Sequence, residues 1–106
     1  MKHKPATGVE LALAPQDLAL VRRLLRKHAP LHRAFAFGSR VIADSAGRAR
    51  LKPHSDLDLA LEGPQLQPQQ SFALREAFSE SDLPMRVDIV EAADLPVAWN
   101  IRAWPL

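Results

Sequence analysis

The stretch SDLDLALEG at residues 55–63 constrains the fold most, because it alternates leucines with two aspartates and an alanine. A period of two is typical of a β-strand that is buried on one side. Such a strand has one face of leucines and a second face that carries Asp56, Asp58 and Ala60. Unpaired carboxylates are costly to bury, so we expect a positive group beside the aspartates. The chain therefore needs a sheet with one apolar face and one acidic face.

The chain has 106 residues, which predicts a single domain over residues 1–106 in which residues 1–14 could be a flexible segment. Hydrophobic residues make up 47% and charged residues 25%, a composition typical of soluble globular proteins. The absence of cysteine excludes disulfides, thiolate catalysis and zinc–sulfur sites. No apolar stretch approaches the roughly 20 residues of a membrane span, and the first residues do not resemble a signal peptide. These features predict a cytoplasmic protein.

Helical and strand patterns alternate along the chain. The predicted helices are residues 15–30, 39–47 and 68–81, the predicted strands are 31–38, 55–63 and 85–92, residues 48–54 are a basic loop, and the tail 94–106 is a short helix with an extended end. This order predicts an α/β (α+β) domain with a small mixed β-sheet flanked by helices. Trp99 and Trp104 in the tail could each pack on the core or bind a partner.

Charge is distributed unevenly between the two halves of the chain. Residues 1–54 carry eleven Lys or Arg and three Asp or Glu, whereas residues 55–106 carry three and nine. The basic half could attract a polyphosphate or an acidic partner, and the acidic half could hold cations. A surface of self-complementary patches explains the same asymmetry, so charge alone does not choose between these readings.

A third aspartate, Asp88, lies in a second apolar strand. If it joins Asp56 and Asp58 on one sheet face, the three carboxylates repel one another unless a cation neutralises them. Oxygen ligands without cysteine favour a hard ion, Mg²⁺ or Mn²⁺. Magnesium usually completes its shell with water and substrate phosphates, which indicates a nucleoside triphosphate.

The sequence FGSR at residues 37–40 supplies candidate phosphate ligands. Gly38 at a strand end allows close approach of the backbone, and Ser39 opens the predicted second helix. Free N–H groups at a helix start, together with a hydroxyl, can bind an anion. We expect a positive charge against the phosphates from Arg40 or from the basic residues of the following loop. Those residues are Arg48, Arg50 and Lys52.

Three motifs, FGSR, SDLDLA and VDIVE, occur in this order. Together they resemble the nucleotidyltransferase superfamily that includes DNA polymerase beta, and more closely the minimal nucleotidyltransferase (MNT) antitoxins of HEPN/MNT toxin–antitoxin pairs. The resemblance implies a nucleotidyltransferase-like fold in which Gly38 and Ser39 contact the triphosphate. It also implies that Asp56, Asp58 and Asp88 ligate the metal, and that Asp88 takes the proton of the acceptor hydroxyl.

The resemblance further implies Mg²⁺-dependent transfer of AMP from ATP to a tyrosine of a cognate HEPN toxin, which silences that toxin. A homo-oligomer or hetero-oligomer is possible, and we expect no membrane binding and no direct binding of nucleic acid. Two alternatives stay open: a non-catalytic antitoxin that neutralises its partner by stoichiometric binding, and a small-molecule nucleotidyltransferase subunit. The connection between GSR and SDLD, residues 41–54, is several residues longer than in most relatives.

Overall fold

The computed structural model describes residues 9–106, in which a four-stranded sheet carries helices on one face. Two further short strands pair beside this sheet. The strands are β1 (Glu10–Leu11), β2 (Arg33–Phe37), β3 (Val41–Ile42), β4 (Leu57–Glu62), β5 (Val87–Glu91) and β6 (Trp104–Pro105), and the helices are α1 (Pro15–His28), α2 (Ser45–Arg50) and α3 (Pro68–Ser79). The mixed architecture confirms the predicted fold class.

The sequence of α1 explains both ends of that helix. Pro15 occupies the first turn, where its missing N–H is not needed, and Asp17 lies near the positive helix start. Basic residues fill the last turn, where they complement the negative end of the helix dipole. Val21 and Leu25, one turn apart, are buried, so the predicted apolar stripe is the face that packs on the sheet.

The main sheet has the strand order β5-β4-β2-β6. Strand β4 is antiparallel to β2 and parallel to β5, and β6 adds to the far edge of β2 in the antiparallel direction. The sheet is therefore mixed, with β4 at its centre. Because β4 contacts a strand on each side, its residues align directly with residues of both β2 and β5.

The apolar core lies between the sheet and the two longer helices. On β4, Leu57 and Leu59 are fully buried and Leu61 is nearly so, as the alternation predicted. Each buried leucine stabilises the fold by about 1.5–3 kcal/mol relative to an exposed one. Helix α1 contributes two residues to this core, and α3 contributes Leu74 and Phe78, which are spaced one turn apart. Both helices thus cover the leucine face.

The predicted helix over residues 39–47 is wrong for residues 39–44, and the predicted loop over residues 48–54 is wrong for residues 48–50, which belong to α2. Residues Gly38–Arg40 form a single 3-10 turn, and Val41–Ile42 is a strand that pairs with Glu10–Leu11. β-Branched Val and Ile favour this extended pairing. The helix begins only at Ser45, where the side chain of the preceding Asp44 accepts a hydrogen bond of 2.7 Å from the Gly47 N–H.

Strand β1 also changes the interpretation of the N-terminal segment. Residues 1–14 were predicted as a segment that could be flexible, yet Glu10–Leu11 is part of the fold. Residues 1–8 lie outside the described residues. The tail contains 3-10 turns at Ala92–Asp94 and Trp99–Arg102 in place of a short α-helix, followed by the extended β6. Within residues 9–106, no helix is both long enough and apolar enough to cross a membrane.

Candidate active site

Asp58 and Asp88 lie side by side on the sheet face that the helices leave open. They are register partners on the adjacent parallel strands β4 and β5. The register begins where the Leu57 N–H donates to the Arg86 carbonyl at 2.8 Å. Because side chains alternate along both strands, the two carboxylates project from the same face of the sheet. The structure thus brings together two of the three predicted carboxylates.

Asp56 is placed differently from the other two. It precedes the first residue of β4 and is exposed. Within residues 9–106, no group of three ligating side chains is arranged so that it could hold a metal ion unaided. The three aspartates are therefore neighbours without forming a closed carboxylate cage.

The charges at this site act on one another. Partial burial raises the pKa of the Asp58 carboxyl above its ordinary value, and the carboxylates of Asp88 and Asp56 raise it further. All three causes disfavour negative charge at Asp58. A cation bound beside the carboxylates would neutralise their repulsion. It would be the positive group that the sequence led us to expect beside the aspartates.

The site has the ligand chemistry for a hard cation. The neighbouring carboxylates of Asp58 and Asp88 supply only oxygen donors, which suits Mg²⁺ or Mn²⁺. Magnesium typically uses one or two protein carboxylates and takes its remaining ligands from water and phosphates. An open pair of carboxylates with a third nearby therefore fits this ion better than a closed cage would.

Gly38 lies directly against the Asp58 carboxylate of this pair. It follows Phe37, the register partner of Asp58 on β2, and has a φ of 78°. L-residues with side chains rarely adopt this conformation. A Cβ atom at this position would also collide with the Asp58 carboxylate. Glycine is thus required both for the turn and for the close approach of the backbone to Asp58.

Ser39 is exposed in the turn that follows. Its predicted position at the start of a longer helix is wrong, because the Gly38–Arg40 turn continues into β3. A helix dipole is therefore no part of an anion site here. What the turn offers a phosphate is the Ser39 hydroxyl and its backbone N–H groups, next to Asp58.

We predicted that Arg40 could add positive charge against the phosphates, but the structure directs its side chain elsewhere. Its side chain is buried, and its guanidinium donates to the backbone carbonyls of Ser55, Ala12 and Pro53 at 2.8, 2.7 and 2.9 Å. The Ala12 N–H in turn donates a hydrogen bond of 2.7 Å to the backbone carbonyl of Arg40. Three acceptors around a planar donor group hold it in one orientation. Arg40 is thus a clamp on the chain immediately before Asp56.

The long connection between the turn and β4 contains α2. Arg48 on this helix pairs with Glu10 of β1, so its charge is directed to the N-terminal strand. Arg50 and Lys52 are exposed. The structure places neither of them against the carboxylate pair, and their predicted phosphate contacts stay predictions.

Aromatic residues beside the carboxylates were not identified as site residues from the sequence. Phe35 and Phe37 alternate with Ala34 and Ala36 on β2, and they occupy the same face as Asp58. Trp99 contacts both rings edge-on, with centroid separations of 5.5 and 6.3 Å. The period-two spacing of the phenylalanines was the available signal, since antiparallel pairing with β4 puts them on the acidic face.

The two tryptophans of the tail therefore lie on opposite sides of the sheet. Trp104 packs against the core cluster, and the Arg22 guanidinium lies 5.8 Å from the centroid of its ring. Trp99 lies on the open face. Of the two roles that the sequence left open for Trp104, packing on the core or binding a partner, the structure shows packing on the core.

The central mixed sheet, the Gly-Ser turn and the paired aspartates on adjacent strands are compatible with a nucleotidyltransferase-like fold. The chain is 40% identical over 87 residues to a protein of Haemophilus influenzae named "Probable protein adenylyltransferase MntA", covering 79% of this chain and 69% of that protein. No protein-family model matches the chain. At this identity and coverage, the chain belongs to the MntA-like minimal nucleotidyltransferases and is an enzyme of that class.

Proposed function

We propose that this chain transfers AMP from ATP, with Mg²⁺, to a hydroxyl group of a partner protein. We propose further that the partner is a HEPN-type toxin, that the acceptor is a tyrosine, and that the modification silences the toxin. The observation that carries the proposal is the register of Asp58 and Asp88 beside Gly38. The name of the related protein supports AMP as the group and a protein as the acceptor.

The chain's own residues account for the parts of such a reaction. Asp58 and Asp88, with Asp56 nearby, would hold the ion. The Gly38–Ser39 turn would donate hydrogen bonds to phosphate oxygens. The bound ion would supply charge neutralisation between the carboxylates and the phosphates.

Bond making and breaking then follow the usual course of a nucleotidyl transfer. The acceptor oxygen bonds to the α-phosphorus of ATP, and the bond from that phosphorus to the bridging oxygen breaks, which releases pyrophosphate. The acceptor proton passes to the Asp88 carboxylate, which is exposed and can reach an incoming hydroxyl. The product is a phosphodiester between AMP and the acceptor.

The experiment uses the purified chain, ATP labelled at the α-phosphate, Mg²⁺, and the protein encoded by the neighbouring gene. We expect label on the partner protein, and we expect it to fall by at least about a thousandfold with Asp58→Asn or Asp88→Asn, the size of a lost essential catalytic group. Asp94→Asn is the matched control, because this exposed carboxylate lies in the turn after β5. It should transfer label at the unaltered rate.

Other outcomes separate the alternatives. Full transfer by Asp58→Asn or Asp88→Asn contradicts the proposed mechanism. A stable complex with the partner and no label on either protein supports neutralisation by stoichiometric binding. Label that appears only on an added small molecule supports a small-molecule nucleotidyltransferase subunit.

A further inference from the structure

The open face of the sheet carries an aromatic wall, which we define as Phe35, Phe37 and Trp99. The two phenylalanines belong to β2, and the indole of Trp99 meets both rings edge-on at interplanar angles of 73°. All three side chains are half-buried. Edge-to-face contacts of this kind fix the rings relative to one another, so the wall is an ordered apolar surface.

This wall adjoins the carboxylate pair directly. Phe37 is the register partner of Asp58, and such antiparallel neighbours have Cα atoms about 5 Å apart. Phe35 is next along the same face, opposite Ala60. On this face of the sheet, the carboxylates of Asp88 and Asp58 are therefore followed directly by the aromatic rings of β2.

The wall is on the opposite side of the sheet from the apolar core. Helices α1 and α3 pack with the leucine face of β4, and Trp104 packs there as well. On the open face, Ala60 opposite Phe35 is fully buried, while the three rings themselves stay half-buried. Half-buried aromatic rings beside a polar site are suited to bind a planar group by stacking.

The neighbouring turn indicates which planar group this is. Gly38 directly follows Phe37, so phosphates held at the Gly38–Ser39 turn place the rest of a nucleotide beside the wall. Taking the proposed function as its basis, we infer that the aromatic wall binds the nucleobase of the nucleotide donor by stacking. The base is joined to the phosphates through one ribose, and the wall begins one residue from their turn.

The two tryptophans provide a direct test, because they lie on opposite faces. Trp104→Phe leaves Trp99 as the single tryptophan, and Trp99→Phe leaves Trp104. We expect ATP with Mg²⁺ to change the emission of the Trp104→Phe protein saturably. The Trp99→Phe protein should show no change, and inorganic triphosphate, which lacks a base, should change neither.

A second measurement concerns affinity. Stacking of a base on an aromatic ring changes affinity by about 5- to 150-fold on removal of the ring. We expect Trp99→Leu, which retains apolar volume, to weaken ATP binding in calorimetry within that range. Its affinity for inorganic triphosphate should stay within about twofold of the unaltered protein, since that ligand reaches only the turn.

Specific results would overturn the inference. ATP binding in calorimetry without a response of Trp99 contradicts the wall as the base site while leaving the proposed function intact. A Trp99 response to N-acetyltyrosinamide that persists with ATP bound assigns the wall to the acceptor ring and also overturns it. Absence of ATP binding to the unaltered protein contradicts the proposed function itself, and the inference with it.

Discussion

The two faces of β4 differ in what surrounds each residue. Leu57 and Leu59 are fully buried against helices that cover one face, whereas Asp58, between them in sequence, lies on the open face beside another carboxylate. Burial of the leucines stabilises the fold, and the raised pKa of Asp58 marks an unfavourable charge in the same strand. Alternate residues of one strand thus face the apolar core and the proposed active site. Changes on the two faces should therefore affect different measurements.

The largest effect on stability is expected on the leucine face. Leu59→Ala removes a fully buried side chain at the centre of the sheet, and comparable substitutions lower the free energy of unfolding by about 2–5 kcal/mol. Urea denaturation monitored by circular dichroism measures this change. Glu62→Ala, at an exposed position of the same strand, should stay within about 0.5 kcal/mol. A loss below about 1 kcal/mol for Leu59→Ala would remove the distinction between the faces.

The leucine face was predictable because its signal is local. A period of two over residues 57–62 fixes which side chains share a face, and the spacing of Val21 and Leu25 does the same for α1. The helix predicted over residues 39–47 failed at residues 39–44 because the deciding contact there is distant in sequence. Val41–Ile42 becomes a strand because Glu10–Leu11, about thirty residues earlier, pairs with it. No local pattern contains that partner, so local propensity did not predict the pairing.

The site shows the same division between local and distant information. The positions of Gly38, Asp58 and Asp88 follow from strand ends and alternation, and they were identified from the sequence. The role of Arg40 depends on carbonyl groups 13 to 28 residues away. Its charge suggested a phosphate contact, whereas its surroundings make it a clamp. The charge of this side chain was therefore not enough to predict its contacts, because they depend on neighbours that are distant in sequence.

We expect the next largest loss of stability at Arg40. Its guanidinium is a polar clamp on the chain that leads into β4, so this substitution adds a polar contact to the comparison of the two faces. Arg40→Lys retains the charge but cannot reach three acceptors with one planar group. We expect the free energy of unfolding to fall by about 1.5–3 kcal/mol, the range for hydrogen bonds to charged groups. The rate of AMP transfer should fall as well, since the clamp positions the chain before Asp56.

Binding of inorganic triphosphate separates the clamp from a direct phosphate contact. For a clamp, calorimetry should give an affinity of Arg40→Lys within about twofold of the unaltered protein, together with reduced stability. Weaker triphosphate binding at unchanged stability would instead restore the phosphate role that the sequence suggested. Arg50→Lys, the same substitution at an exposed position, is the control and should leave the free energy of unfolding within about 0.5 kcal/mol.

We expect the smallest change in stability at Asp58. Its substitution should raise the free energy of unfolding, whereas substitutions on the leucine face lower it. Because the pKa of Asp58 is raised on folding, the folded protein binds more protons than the unfolded chain. Ionised Asp58 therefore lowers stability at neutral pH, and this loss disappears as the pH falls below the unfolded pKa. In metal-free buffer at pH 7, Asp58→Asn should be slightly more stable than the unaltered protein, because solvent screens the charge of this partly exposed group.

Calorimetric melting in EDTA at several pH values measures this difference. The gap in Tm between Asp58→Asn and the unaltered protein should close as the acid form of Asp58 becomes populated, since both side chains are then neutral. Asp94→Asn should show no comparable gain at pH 7. If Asp58→Asn melts at or below the temperature of the unaltered protein at pH 7, Asp58 is not held against an electrostatic cost. The open face would then contribute to stability much as the leucine face does, and the contrast between the two faces of β4 would fail.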